Sequence, residues 1–507
     1  MGDGDLDQRA APFLDAWRAY RAAGVVPYST PGHKGGRGAS AELLEAFGAA
    51  ALGLDIPHGG GVDDTHLSHG TLRAAERLSA AAWGADEARF LVNGSSTGNH
   101  AFLLATCRDG DEVIVARNLH KSLLAGLVLS GARPVYVRPA IDSETNLSLD
   151  VAVEEVRTAL DAHPAVKAVI LVSPAYTGVS SDLPAIAALC HERDAPLLVD
   201  EAWGPHFPFH PELPPSAMQA GADGAVTSVH KLLPGITQAS LLMLQEPRVD
   251  VSRFNAAVDM LETTSPAAFI YASIDACRRQ MALAGKELLD RTLTLAAGAR
   301  AALAAIPGLA VVGREVIADR PGAGFDPTRL LVDVHGLGVT GYQAERILRE
   351  RGRVGVEMSD LVSVIVMLTV ADDAETVEHL VAGFRGLAEE ARASSSALLA
   401  PAVTRGHRSS GAVILGSGHA EHAEHAEQAM TPRQAASAVA EAVPLREAVG
   451  RIAAEIVTPY PPGIPVIAPG EVVTAQIADY LRVGLAAGMY VSGPADPTLA
   501  TLRVVAG

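Results

Sequence analysis

Between residues 75 and 245 the chain alternates short, β-branched apolar runs with longer Ala- and Leu-rich stretches of helical period. The apolar runs fall at 89–92, 112–116, 134–137, 168–172, 196–199, 225–228 and 240–244, and helical stretches at 98–106, 122–130, 151–162 and 183–192. This rhythm predicts a mainly parallel sheet buried by helices on both faces. Ligands of such sheets bind beyond the carboxyl ends of the strands, which is where chemistry is to be sought. A second αβ segment, 276–395, carries apolar strands at 330–334 and 362–370 and predicts a smaller domain. Across 396–429 small residues, Ser and Gly dominate, which predicts a linker or peripheral insert. Thr431 can then cap a helix, with Pro432 in its first turn and Gln434 completing a capping box. The expected division is an N-terminal segment (1–60), a large domain (61–275), the small domain (276–395), the insert (396–429) and a C-terminal domain (430–507).

Composition narrows the function classes. With 507 residues, 49% hydrophobic and only 19% charged, the chain can bury a large core, which excludes disorder as its main state. Its 40 Lys and Arg against 58 Asp and Glu give a formal charge of −18. That argues against a nucleic-acid or anionic-membrane partner and is compatible with a small cationic one. Cys107, Cys190 and Cys277 are few and widely spaced, so neither a disulfide framework nor a CxxC metal site is expected. The first ten residues are acidic and lead into no apolar signal core, and no apolar run is long enough to span a bilayer. A soluble, cytoplasmic protein is expected. His419, His422 and His425 recur every three residues, but they read as the polar face of a low-complexity tract and no metal is expected.

Three strand ends carry the candidate chemistry. After 89–92 comes Asn93-Gly94-Ser95-Ser96-Thr97-Gly98-Asn99, a turn opening a helix, whose N–H groups and hydroxyls suit an anion. After 196–199 comes Asp200-Glu201-Ala202-Trp203, and after 225–228 comes Val229-His230-Lys231. Singly these are a Ser-rich helix cap, an acid that could cap the next helix, and a lysine that could be paired or exposed. Together, at one sheet edge, they match what pyridoxal 5′-phosphate (PLP) requires: a phosphate cradle, a carboxylate for the pyridine nitrogen and a lysine for its aldehyde.

The sequence resembles the fold-type-I PLP-dependent ornithine/lysine/arginine decarboxylases. The resemblance rests on Thr30-Pro31-Gly32-His33-Lys34-Gly35-Gly36, the 93–97 turn, Arg117-Asn118-Leu119-His120-Lys121-Ser122, Asp200-Glu201-Ala202-Trp203 and Ser228-Val229-His230-Lys231-Leu232. Gln238-Ala239-Ser240, Thr263-Thr264-Ser265-Pro266, Pro459-Tyr460-Pro461-Pro462-Gly463-Ile464-Pro465 and Pro469-Gly470-Glu471 complete it. It implies an α/β, aspartate-aminotransferase-like fold with a small αβ domain and a C-terminal decarboxylase domain. It further implies that Lys231 holds PLP, that Asp200 pairs with the pyridinium nitrogen, and that Ala202 lies under the ring with His120 stacked on the other face. Ser95, Ser96, Thr97, Ser228 and His230 would hold the phosphate, and Thr264 and Ser265 would reach the phosphate of a partner subunit, so a homodimer or larger homo-oligomer with shared sites is expected. Trp203 and Glu471 are candidate substrate contacts, although a lone glutamate is ordinarily solvent-exposed. The implied reaction is decarboxylation of a basic L-amino acid. Arginine is favoured over lysine and ornithine, because the compact chain resembles the short arginine decarboxylases without an N-terminal wing domain. An aminotransferase, an aldolase-type lyase or a non-catalytic regulatory homologue stand as alternatives.

Overall fold

The structure is a computed structural model that describes residues 6–56, 62–63, 70–142, 147–393, 426–460 and 463–507. The histidines at 419, 422 and 425 and most of the expected insert lie outside the described residues.

Seven strands form the central sheet: β1 (Glu87–Leu91), β2 (Glu112–Ala116), β3 (Arg133–Val137), β4 (Val169–Val172), β5 (Leu197–Asp200), β6 (Gly224–Thr227) and β7 (Ser240–Leu244). Their order is β1-β7-β6-β5-β4-β2-β3. The run from β6 to β3 pairs parallel, and β7 is antiparallel to both its neighbours. Because successive side chains point to opposite faces, the central strands feed two cores at once. Ile114, Val169, Leu171, Leu197 and Val199 enter one core, and Val113, Val115, Ile170 and Leu198 enter the other. This is why the interiors of these strands run apolar on both faces instead of alternating. The second core is closed by the helices Ser95–Thr106, Lys121–Ser130 and Val251–Leu261.

The N-terminal segment is not a separate unit. Phe13, Leu14 and Trp17 of the helix Pro12–Ala22 enter the first core. The N–H groups of Phe13 and Leu14 donate to Asp275 Oδ2 at 3.0 and 3.2 Å. Asp275 belongs to the 37-residue helix Ala268–Ala304, so the expected boundary at 275 falls inside one continuous element. Ile270, Tyr271 and Ile274 of this helix pack into the first core, whereas Ala296, Ala299 and Leu303 pack into the core of the smaller unit.

That smaller unit has a four-stranded antiparallel sheet, ordered Ala310–Val312, Arg329–Asp333, Ser363–Met367, Met358–Ser359. A two-stranded ladder joins it to the large unit, pairing Val179–Ser180 with Gly324–Phe325. The C-terminal unit has its own core around Val457, Ile467, Tyr480 and Leu481, with Ala440–Pro444 paired to Thr501–Val505. Both halves of the expected capping box at Thr431 and Gln434 are present. Glu427 and Gln428 already pair with Val472 and Glu471, so the C-terminal unit takes in residues before 430. Among the described residues no helix is long and apolar enough to cross a membrane.

Candidate active site

Packing at the carboxyl ends of β1, β5 and β6 brings the three sequence segments together. Helix Ser95–Thr106 can lie close on β6 because Gly98 has no side chain: a Cβ there would stand 2.5 Å from Val226 Cγ2. Its N-cap, Gly94, supplies no side-chain acceptor to the first turn, so the helix start, with the Ser95 hydroxyl lining the cleft, leaves N–H groups available to an anion. Ser228, following β6, donates to Ser95 Oγ at 3.0 Å, which ties the two halves of the cradle. Thr97 is buried in the same turn. His230 donates through Nδ1 to the Ala239 carbonyl at 2.8 Å.

Asp200 closes β5 and is buried. Its Oδ1 accepts from the N–H of Ala202 at 3.1 Å and its Oδ2 from Asn99 Nδ2 at 2.7 Å. Burial raises its pKa, while Lys231, Asn99 and the Ala202 N–H work in the opposite direction. The same Asn99 amide donates to Ser122 Oγ at 2.9 Å, and Ser122 Oγ lies 2.8 Å from His120 Nδ1. His120 caps helix Lys121–Ser130, its Nδ1 accepting from the Ser122 N–H. Burial, with the cations of Lys231 and Lys121, pushes His120 down to about 3. It is therefore a neutral ring with Nδ1 as acceptor.

Lys231 lies in the short helix Val229–Leu232, with Nζ 3.6 Å from the centre of the Trp203 ring. Burial lowers its pKa to about 8; Asp200 and Glu357 oppose that shift and Arg329 adds to it. Arg329, fully buried at the start of its strand, sets its guanidinium carbon 4.5 Å from the same Trp203 ring and is accompanied by Asp326 at 3.6 Å.

Ser95, His120, Asp200, Ala202, Trp203 and Lys231 all line one cleft. Val172, Tyr176 and, from the C-terminal unit, Ile464 give it apolar walls. Asn118 also lines it, and its buried Oδ1 has no hydrogen-bond partner among the described residues. The donor set fits PLP. An uncapped helix start with hydroxyls suits a phosphate, a buried carboxylate suits a protonated ring nitrogen, and Lys231 faces the same space.

Other expected residues fall elsewhere. Thr264 and Ser265 are exposed and do not line the cleft of their own chain. His33 pairs with Asp55 at 3.1 Å, away from the cleft. Glu471 requires a correction: it is 2% exposed, not solvated. Both its oxygens are held by Arg117, at 3.0 Å from Nε and 3.0 Å from Nη2, so it cannot serve as an open contact for a substrate cation. Asn99, Ser122, Arg329 and Glu357 were not foreseen. Asn99 stood in the quoted turn, but nothing local in the sequence marks Arg329 or Glu357.

A family model described as the major domain of Orn/Lys/Arg decarboxylases matches residues 11–376, and one described as their C-terminal domain matches residues 418–491. The chain is 38% identical over 500 residues to the arginine decarboxylase of Bacillus subtilis (strain 168), covering 99% of each. It is 39% identical over 498 residues to the arginine decarboxylase of Halalkalibacterium halodurans, covering 98% of each. Among solved structures, lysine decarboxylase A from Pseudomonas aeruginosa superposes with a TM-score of 0.80 at 24% identity, over 98% of this chain and 81% of that one. The fold is fold type I, as the resemblance implied.

Proposed function

Because the chain belongs to the Orn/Lys/Arg decarboxylase family, we propose that it is an arginine decarboxylase that removes the α-carboxylate of L-arginine as carbon dioxide with PLP held on Lys231. The observation that carries this reading is the convergence of Lys231, Asp200 and the uncapped start of helix Ser95–Thr106 on one cleft. PLP supplies there an electron sink for the pair left when the bond from the α-carbon to the carboxylate breaks.

The chain's own groups do the rest. Asp200, aimed by Asn99 and the Ala202 N–H, would keep a proton on the ring nitrogen, which would deepen the sink. Ser95, Ser96, Thr97, Ser228 and His230 would hold the phosphate. Ala202 would leave room beneath the ring, and neutral His120 would cover its other face without adding a competing positive charge. Lys231, lowered to about 8, is partly neutral near physiological pH and can act as a nucleophile. The apolar walls strip water from the substrate carboxylate, and that cost is relieved as it leaves as a neutral molecule.

Exposed Glu357 lies within electrostatic reach of Lys231 and Arg329. It is the acid assigned here to the substrate guanidinium. Arginine is preferred because the arginine decarboxylases match over their whole length at 38% and 39% identity. Thr264 and Ser265 of a second copy complete the phosphate site, and the protein works in the cytoplasm as a homodimer or larger assembly.

Carbon dioxide release from arginine, lysine, ornithine and their chain-length homologues tests the reading. The largest kcat/KM should fall on arginine, and a larger value on lysine or ornithine would reassign the substrate. Lys231→Ala should lose turnover together with the visible absorbance of the coenzyme. Full activity in that variant would remove the assignment of Lys231.

A further inference from the structure

His120 is fixed on one edge by the large unit and on the other by the C-terminal unit. The Nδ1 edge rests on Ser122, in a chain of hydrogen bonds that continues through Asn99 to Asp200. The opposite edge faces Gly463. A Cβ on Gly463 would stand 3.0 Å from both Cδ2 and Nε2 of the imidazole, and 3.3 Å from Tyr460 Cε2. The chain on both sides of His120 is also bound to that unit, through the Arg117 side chain and the Lys121 backbone. Arg117 Nη1 donates to the Pro465 carbonyl at 2.8 Å while its other nitrogens hold Glu471. The N–H of Lys121 donates to the Gly463 carbonyl at 3.0 Å, and Lys121 Nζ sits 5.0 Å from the centre of the Tyr460 ring. At the far end of helix Lys121–Ser130, Arg433 takes the carbonyls of Val128, at 2.8 Å, and Leu129.

We propose that Gly463 is a positioning residue of the decarboxylation: lacking a side chain, it lets the C-terminal turn rest on the second edge of His120 and so sets the tilt of the imidazole against the coenzyme ring. The proposal rests on the reading of His120 as the cover of that ring. An alanine at 463 would push the ring away from a contact shorter than van der Waals separation. It would also have to adopt a φ of +92°, which costs an L-residue conformational energy.

The test uses the holoenzyme and a double-mutant cycle. Gly463→Ala should change the visible circular dichroism of bound PLP and lower kcat by roughly tenfold or more, with KM for arginine nearly unchanged. In a His120→Ala background the same substitution should change neither quantity further. Tyr460→Ala, at a half-exposed side chain whose loss introduces neither strain nor a buried charge, relaxes the same turn. It should give a smaller spectral and kcat change with the same dependence on His120, which keeps the test decisive if Gly463→Ala folds poorly. Wild-type spectrum and kcat in both turn variants, or losses of equal size with and without His120, would overturn the proposal. A His120→Ala enzyme with wild-type spectrum and rate would instead overturn the ring-covering reading beneath it.

Discussion

Lys231 is pulled in opposite directions by its surroundings: burial and Arg329 favour the amine, while Asp200 and Glu357 favour the ammonium, and the balance is about 8. Only the amine attacks an aldehyde, so capture of PLP by coenzyme-free protein should accelerate as pH rises through about 8 and level off above it. Stopped-flow visible absorbance measures this directly. Glu357→Gln removes a charge that stabilises the ammonium, so the inflection should move to lower pH, and KM for arginine should rise with it. An unmoved inflection and an unchanged KM would deny Glu357 both roles. Asp200 and Lys231 were legible in the sequence because each is an ionisable residue at the end of an apolar strand, where burial needs a reason. The relay from Asp200 to His120 was not. Asn99 and Ser122 look like ordinary helix residues until their partners, 101 and 23 positions away, come into contact. Glu471 was misjudged for the same reason: its residue type says solvent, but its cation lies 354 positions earlier in the chain.

At the scale of elements, the Arg117–Glu471 pair joins the end of β2 to the C-terminal unit with both partners buried. Glu471→Ala leaves Arg117 uncompensated and should cost about 3–5 kcal/mol in chemical denaturation. Arg117→Ala should cost a similar amount, and the double variant should lose clearly less than the sum. Additive losses would mean that the two groups do not act as a pair. Strand positions in the central sheet were readable to within a residue or two because runs apolar on both faces have few alternatives. The Thr431 capping box was readable because its chemistry is confined to four adjacent residues. The edge between large and small units was not, since residues 268–304 contain no Pro and keep a helical pattern throughout. Sequence marks where a helix stops, but not where its packing partner changes.

For the whole molecule, the exposed Thr264 and Ser265 carry the expectation of a shared site. If a second copy supplies them, an inactive Lys231→Ala chain mixed with an inactive Thr264→Val, Ser265→Ala chain should regain roughly a quarter of the wild-type rate, because half the dimers then hold one intact site. Absence of recovery after subunit exchange would confine each site to one chain. The helix Ala268–Ala304 has a different consequence. It is a rod of about 55 Å whose first half is bonded into one hydrophobic centre and whose second half is bonded into another. Neither centre can melt without withdrawing a wall from its neighbour. Calorimetry should therefore find the two lobes losing structure in a single endotherm, and a proline at Ala296 should lower the temperature of that shared event without splitting it in two.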